Sequence, residues 1–214
     1  NKFKKWFKHT LSINCPYVFF GNKTSLREIK KYRGDLPTHY IECEIKDFCT
    51  FPYRKKMKTD PKHCPSKELN LIWNEKIFLV QKAMKKNPFD SNFFCWIDAG
   101  ICVYREQHPP KQRFPNLDKM YKLPSNTFIY SESMVYKKNF VGRPNYHHIS
   151  GTSYILHKSI IDKFAEIYIS YLERLVNSRK VWTDQIILTH IFRDHPDMFH
   201  KVCKGYGNII PFLY

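Results

Sequence analysis

The sequence predicts an α/β domain, and three observations carry that expectation. Short runs rich in aromatic and β-branched residues alternate with stretches of helical hydrophobic period. Seventeen Phe, fourteen Tyr and four Trp in 214 residues supply a large core, and only seven Gly leave little chain for flexible linkers. A chain of this length suits one domain, residues 1–214, and such a domain buries roughly 70% of its unfolded surface.

Each element follows from local pattern. YVFF (17–20), FFCWI (93–97), TFIYS (127–131) and TSYIL (152–156) are short apolar runs of the kind that form buried strands. HYIECEI (39–45) alternates, which sets Ile41, Cys43 and Ile45 on one face and Glu42 and Glu44 on the other, as in a half-exposed strand. Residues 67–86 follow Pro65-Ser66 and carry Leu69, Trp73, Ile77, Val80 and Met84 at helical spacing, ending before Asn87-Pro88. A second helix spans about 159–176 through Ile160, Phe164, Ile167, Tyr171 and Leu175, and a third starts near Thr183. The stretch 106–126, polar and Pro-rich, reads as a long surface loop of the kind that often carries binding residues.

The net charge is +17, spread in short clusters such as Lys4-Lys5, Lys30-Lys31 and Lys85-Lys86. Such a field favours polyanions or phosphate-bearing ligands and says nothing about fold. Seven cysteines form no CxxC pair, so neither a zinc ribbon nor a dithiol redox centre is indicated, and reduced thiols are expected. No run approaches ~18 apolar residues and no signal-peptide pattern opens the chain. Localisation stays open: a cytoplasmic protein is favoured, while a start at Asn1 instead of Met leaves room for an upstream targeting or anchoring segment. The sequon Asn22-Lys23-Thr24 is too common a pattern to establish secretion.

Chemistry enters at Asp98, which ends the run FFCWI and precedes Ala99-Gly100. Ligands of open α/β sheets bind outside the carboxyl ends of the strands, so this acid is placed at the mouth of a site. An Asp in a turn is also a common structural device. Lys76 shifts the balance, because it lies three residues after Trp73 and four before Val80 and so shares the apolar stripe of its helix. A lysine there either snorkels or meets an anion. Thr183 is suited to cap the helix that follows, where Asp184 suits the dipole, whereas Gln185 has no such generic role. The pair Asp184-Gln185, coming after the aromatic Trp182, is suited to bind a polyhydroxylated ligand.

The segment LIWNEKIFLVQKAMKKNPFDSNFFCWIDAG resembles the signature of the HtrL/YibB-type family, regarded as glycosyltransferase-like, and TDQIILTHIFRDHPDMF resembles its C-terminal part. The likeness covers most of residues 17–212. The same order is distantly similar to the glycogenin-like glycosyltransferases. It implies a GT-A, Rossmann-like domain with a mixed, mostly parallel sheet flanked by helices, whose first, base-cradling strand is not obvious here and would lie upstream.

Carried over, the resemblance implies that Lys76, Asp98, Gly100, Ser150 and Gly151 surround a nucleotide-diphosphate sugar. Asp184 and Gln185 would stand at the reacting centre, and Asp98 would be the first acid of an Asp-x-Asp motif holding Mn²⁺ or Mg²⁺. Gly100 replaces the second acid, so a cation would need other ligands, such as His148 or His200. The implied reaction moves a sugar to a hydroxyl of a glycan, protein or lipid-linked acceptor. Two rival classes stay open: a nucleic-acid-binding module, favoured by the charge but lacking any recognised motif, and a degenerate transferase that binds sugar nucleotides without turnover.

Overall fold

A computed structural model describes residues 2–178 and 183–214. Helix α1 (Lys2–Leu11) leads into β1 (Tyr17–Gly21), α2 (Lys23–Arg33) and β2 (Thr38–Glu42), and β1 and β2 pair in parallel through that helical crossover. The chain then forms α3 (Lys67–Lys86), β3 (Phe93–Ile97), α4 (Leu117–Met120), β4 (Phe128–Glu132), β5 (Ile149–His157) and α5 (Lys158–Asn177). It closes with α6 (Asp184–Asp194), β6 (Phe199–Lys204) and α7 (Ile209–Leu213).

The larger sheet has the order β3-β5-β4-β6, with β5 antiparallel to both neighbours and β4 parallel to β6. The α/β class therefore stands, with one correction of detail: the sheet is mixed, not mostly parallel. The cause is the link from β4 to β5, which contains a short 3₁₀ turn, Lys138–Phe140, and no α-helix. A parallel return requires a crossover of a dozen or more residues, usually helical.

Helix α3 forms where the sequence puts it. The Ser66 hydroxyl accepts from the Leu69 amide at 3.1 Å, and Asn87 ends the helix with φ 37°. Its buried face is wider than the predicted stripe and takes in Asn70, Asn74, Glu75 and Lys76 beside Ile77 and Val80. Most of these polar groups are satisfied at home. Glu75 accepts from the amides of Cys49 and Thr50, both at 3.0 Å, and Asn74 accepts from the Tyr168 hydroxyl at 3.0 Å. Helix α5 packs Phe164, Tyr168 and Leu172 into the same cluster, against Phe128 and Tyr154 of the sheet.

Two expectations change, and the sequon gains a structural role. The alternating run stops at Glu42, because Glu44 and Asp47 cap each other around a 3₁₀ turn, Ile45–Asp47, so Cys43 and Ile45 do not extend the strand. The sequon residue Asn22 caps α2, accepting from the Ser25 amide at 2.9 Å. The loop 106–126 contains α4 and sends Phe114 and Met120 into a second core cluster, with Ile13, Ile129 and Ile209. All seven cysteines are free, and among the described residues no helix is long and apolar enough to cross a membrane.

Candidate functional site

Three segments meet at the carboxyl end of β3. Strand β5 runs antiparallel to β3 with Ser153 opposite Ile97, so its earlier residues run past the end of β3, and the Asp98 amide extends the ladder to the Thr152 carbonyl at 2.9 Å. The start of α6 packs over the same part of β5. Gly151 permits that approach: a Cβ there would stand 2.6 Å from Asp184 Oδ2 and 2.7 Å from Gln185 Cγ. The resulting cavity of about 130 Å³ is lined by Trp73, Lys76, Asp98, Gly151, Thr152, Thr183, Asp184 and Gln185.

Lys76 reaches this cavity from the buried face of α3. Its ammonium donates to the Gly151 carbonyl at 2.8 Å and stands 3.1 Å from both Asp98 Oδ1 and Asp184 Oδ2. Lys76 and Asp184 are almost fully buried, whereas the Asp98 side chain keeps 31% of its exposure. Trp96 points to the same side as Asp98 and donates from Nε1 to Asp98 Oδ1 at 2.7 Å.

The ionisation of the cluster follows from burial and charge. Burial opposes the Lys76 charge, but Asp184 and Asp98 more than offset it and hold the ammonium above its ordinary range. Burial pushes the Asp184 carboxyl up to about 6, since the pull of Lys76 is partly cancelled by Asp98. Asp184 Oδ2 faces the Lys76 ammonium at 3.1 Å, and no further donor reaches it among the described residues. That oxygen keeps acceptor capacity for a second donor.

Beyond the cavity a polar row continues. Gln185 donates to the Ile149 carbonyl at 3.0 Å and to the Tyr206 hydroxyl at 3.3 Å, and Tyr206 in turn meets His147. Tyr206 sits between Gly205 and Gly207, whose φ angles of +98° and +71° suit glycine. A second, larger cavity of about 370 Å³, lined by Tyr104, His108, Pro109, Pro110, Pro211 and Tyr214, holds no cluster of buried charges.

The structure brings together Lys76, Asp98, Gly151, Asp184 and Gln185, and not the rest. Ser150 is fully buried and does not itself line the cavity; its hydroxyl is bonded to that of the lining residue Thr152 at 3.0 Å. Gly100 lies under α1, where a Cβ would touch Trp6 at 3.5 Å; the bulky group that approaches this backbone belongs to the protein itself. His200 is exposed on β6, at the opposite edge of the sheet from β3, about 14 Å away at the usual strand spacing. His148 is committed at both ring nitrogens, to the Tyr130 hydroxyl and the Met134 carbonyl, each at 2.8 Å. The Thr183 hydroxyl makes no cap bond and is buried without a partner among the described residues. Val181 and Trp182 lie outside the described residues.

Sequence reasoning missed Trp96 and Tyr206. The first had a signal, since residues two apart on a strand face the same side and an indole can reach a following carboxylate. Tyr206 had only its flanking glycines.

Fold and cavity together define a mixed α/β protein whose buried lysine holds two carboxylates at the end of a sheet strand. The family model described as "Bacterial protein of unknown function (HtrL_YibB)" matches residues 8–209, and the chain belongs to that family. No curated protein and no solved structure matches it.

Proposed function

We propose that the protein is a glycosyltransferase that moves a sugar from a nucleotide-diphosphate donor to an acceptor hydroxyl. The observation that carries this reading is the Asp184 carboxylate, buried, pushed up to about 6 and open to a hydroxyl donor in the cavity. A general base is most effective when its pKa lies near the working pH. In the proposed step the acceptor O–H gives its proton to Asp184 while its oxygen attacks the anomeric carbon. The bond from that carbon to the diphosphate breaks, and the electron pair leaves with the phosphate. Gln185, Asp98 and Thr183, which line the cavity, would bind hydroxyls of donor and acceptor, and the +17 charge favours a diphosphate ligand.

Lys76 serves this reaction by holding Asp98 and Asp184 in place, since its ammonium is already engaged by three protein oxygens. The resemblance implied Mn²⁺ or Mg²⁺, and the cluster as it stands, with the Lys76 ammonium among its oxygens, does not fit such an ion. Among the described residues no three His, Cys, Asp or Glu side chains converge, and the two cavity carboxylates share a lysine.

The test is hydrolysis and transfer from a panel of nucleotide sugars, followed across pH. A base must be deprotonated, so kcat/KM is expected to fall about tenfold per pH unit below ~6 and to level off above it. A flat profile through that window removes the base from Asp184. Failure of every nucleoside diphosphate to bind removes the transferase reading.

The charge also supports a second reading, nucleic-acid binding. If the basic surface serves small phosphate ligands, DNA and RNA should bind weakly and lose at least about 100-fold in affinity from about 50 to 200 mM salt. Tight, sequence-selective binding at physiological salt, measured by fluorescence anisotropy, would put the nucleic-acid reading first.

A further inference from the structure

The oxygens around Lys76 have the composition of a site for a hard metal ion. Gly151 contributes a backbone carbonyl at 2.8 Å, and Asp98 and Asp184 contribute one carboxylate oxygen each at 3.1 Å. These are the oxygen donors that Mg²⁺ and Mn²⁺ prefer. They come from three separate segments and converge on one point, where the close packing of Asp184 on Gly151 leaves no room for a Cβ. At that point stands an ammonium group.

We infer that Lys76 is the resident cation of this cluster: its ammonium fills a hard-cation position formed by Gly151, Asp98 and Asp184 and thereby excludes a divalent ion. Charge supports the exclusion. Two carboxylates and one ammonium leave the cluster with a single negative charge, and a divalent ion added beside Lys76 would meet a like charge at short range in a buried setting. With the ammonium gone, the same two carboxylates would neutralise one Mn²⁺. The oxygens would need to close by about 1 Å to reach metal-bonding distance, and the adjoining cavity has room for water to complete the coordination. This inference does not require the transferase reading.

Lys76→Met provides the test, because methionine retains most of the stem and helix propensity while vacating the terminal ammonium position. Mn²⁺ binding would be measured by electron paramagnetic resonance and calorimetry on the parent, on Lys76→Met, and on Lys76→Met combined with Asp98→Asn. The single variant is expected to bind one Mn²⁺ at least about tenfold more tightly than the parent, as removal of a nearby like charge requires, and the double variant to lose that gain. A parental Mn²⁺ site that disappears on Asp98→Asn would overturn the inference. So would a folded Lys76→Met protein with no gain in Mn²⁺ affinity. If Lys76→Met unfolds, recovery of its circular dichroism on adding Mn²⁺ supports the inference, and failure to recover at saturating Mn²⁺ counts against it.

Discussion

Asp184→Asn is expected to lower turnover of a nucleotide-sugar donor by about 100-fold or more, the usual scale for losing an acid-base group or a fixed electrostatic partner. Donor affinity should change little. Stability should also hold, for a reason visible in the cluster: burial already disfavours the Asp184 charge, and an amide leaves Lys76 paired with Asp98 alone. The like-charge contribution from Asp98 disappears at the same time. We expect the folded protein to lose well under ~1 kcal/mol, or to gain slightly. Turnover and melting temperature measured side by side decide the matter. Near-parental turnover in a normally melting variant would take Asp184 out of the reaction, and the proposed mechanism would fall with it.

The second large effect lies far from the cavity. Arg33, at the end of α2, is 1% exposed, and no carboxylate is among its hydrogen-bond partners. Its guanidinium instead donates to the carbonyls of Leu11, Ile13, Cys15 and Pro37 and to the Thr38 hydroxyl, at 2.6 to 3.2 Å. Those acceptors run from the last residue of α1 through the link to β1, and from Pro37 into the first residue of β2, so one side chain ties the N-terminal βαβ unit to the helix ahead of it. The Tyr17 ring lies 4.1 Å from the guanidinium carbon. Arg33→Met would leave these carbonyls buried with fewer donors, at a cost of about 3–5 kcal/mol. For a chain of this size that corresponds to a fall in melting temperature of about 6–20 °C. A lysine offers three donors where arginine offers five, so Arg33→Lys should restore only part of the loss. A melting temperature within ~2 °C of the parent in Arg33→Met would show that the carbonyls find other partners at little cost.

These two residues mark the limits of what the sequence discloses. Asp184 was legible because a threonine and an acid at the start of an apolar helix form a local pattern, and Lys76 because its spacing set it on an apolar stripe. Helix α3 and strand β3 could be read to the residue from Ser66, Asn87-Pro88 and a clean aromatic run. Arg33 was not legible, since its partners are backbone carbonyls, which every residue has and no sequence pattern distinguishes. Helices α1 and α2 are short and lysine-rich, so their apolar residues make no stripe as long as that of α3 or α5. Strand β6 carries three charged or histidine side chains in FHKVCK and lacks the apolar run that marked the central strands. The direction of β5 was hidden as well, because strand runs report burial and leave pairing sense to the connections. Gly100 and Ser150 do not line the cavity: motif position gives neighbours along the chain, whereas Gly100 lies against Trp6 and the Ser150 hydroxyl is taken up by Thr152.

The lysine with its two acids has a consequence for how this family can diverge. Loss of Lys76 alone strands two acids, loss of Asp98 and Asp184 together strands a lysine, and a side chain at Gly151 collides with Asp184. Lys76 is therefore expected to be retained while both acids remain, Gly151 while Asp184 remains, and at least one acid while the lysine remains. Lineages that replaced the lysine while keeping both acids would be expected to have recruited a divalent ion. An alignment in which lysine loss and acid retention occur together would thus mark a branch point in ancestry between homologues that carry their own cation and homologues that borrow one.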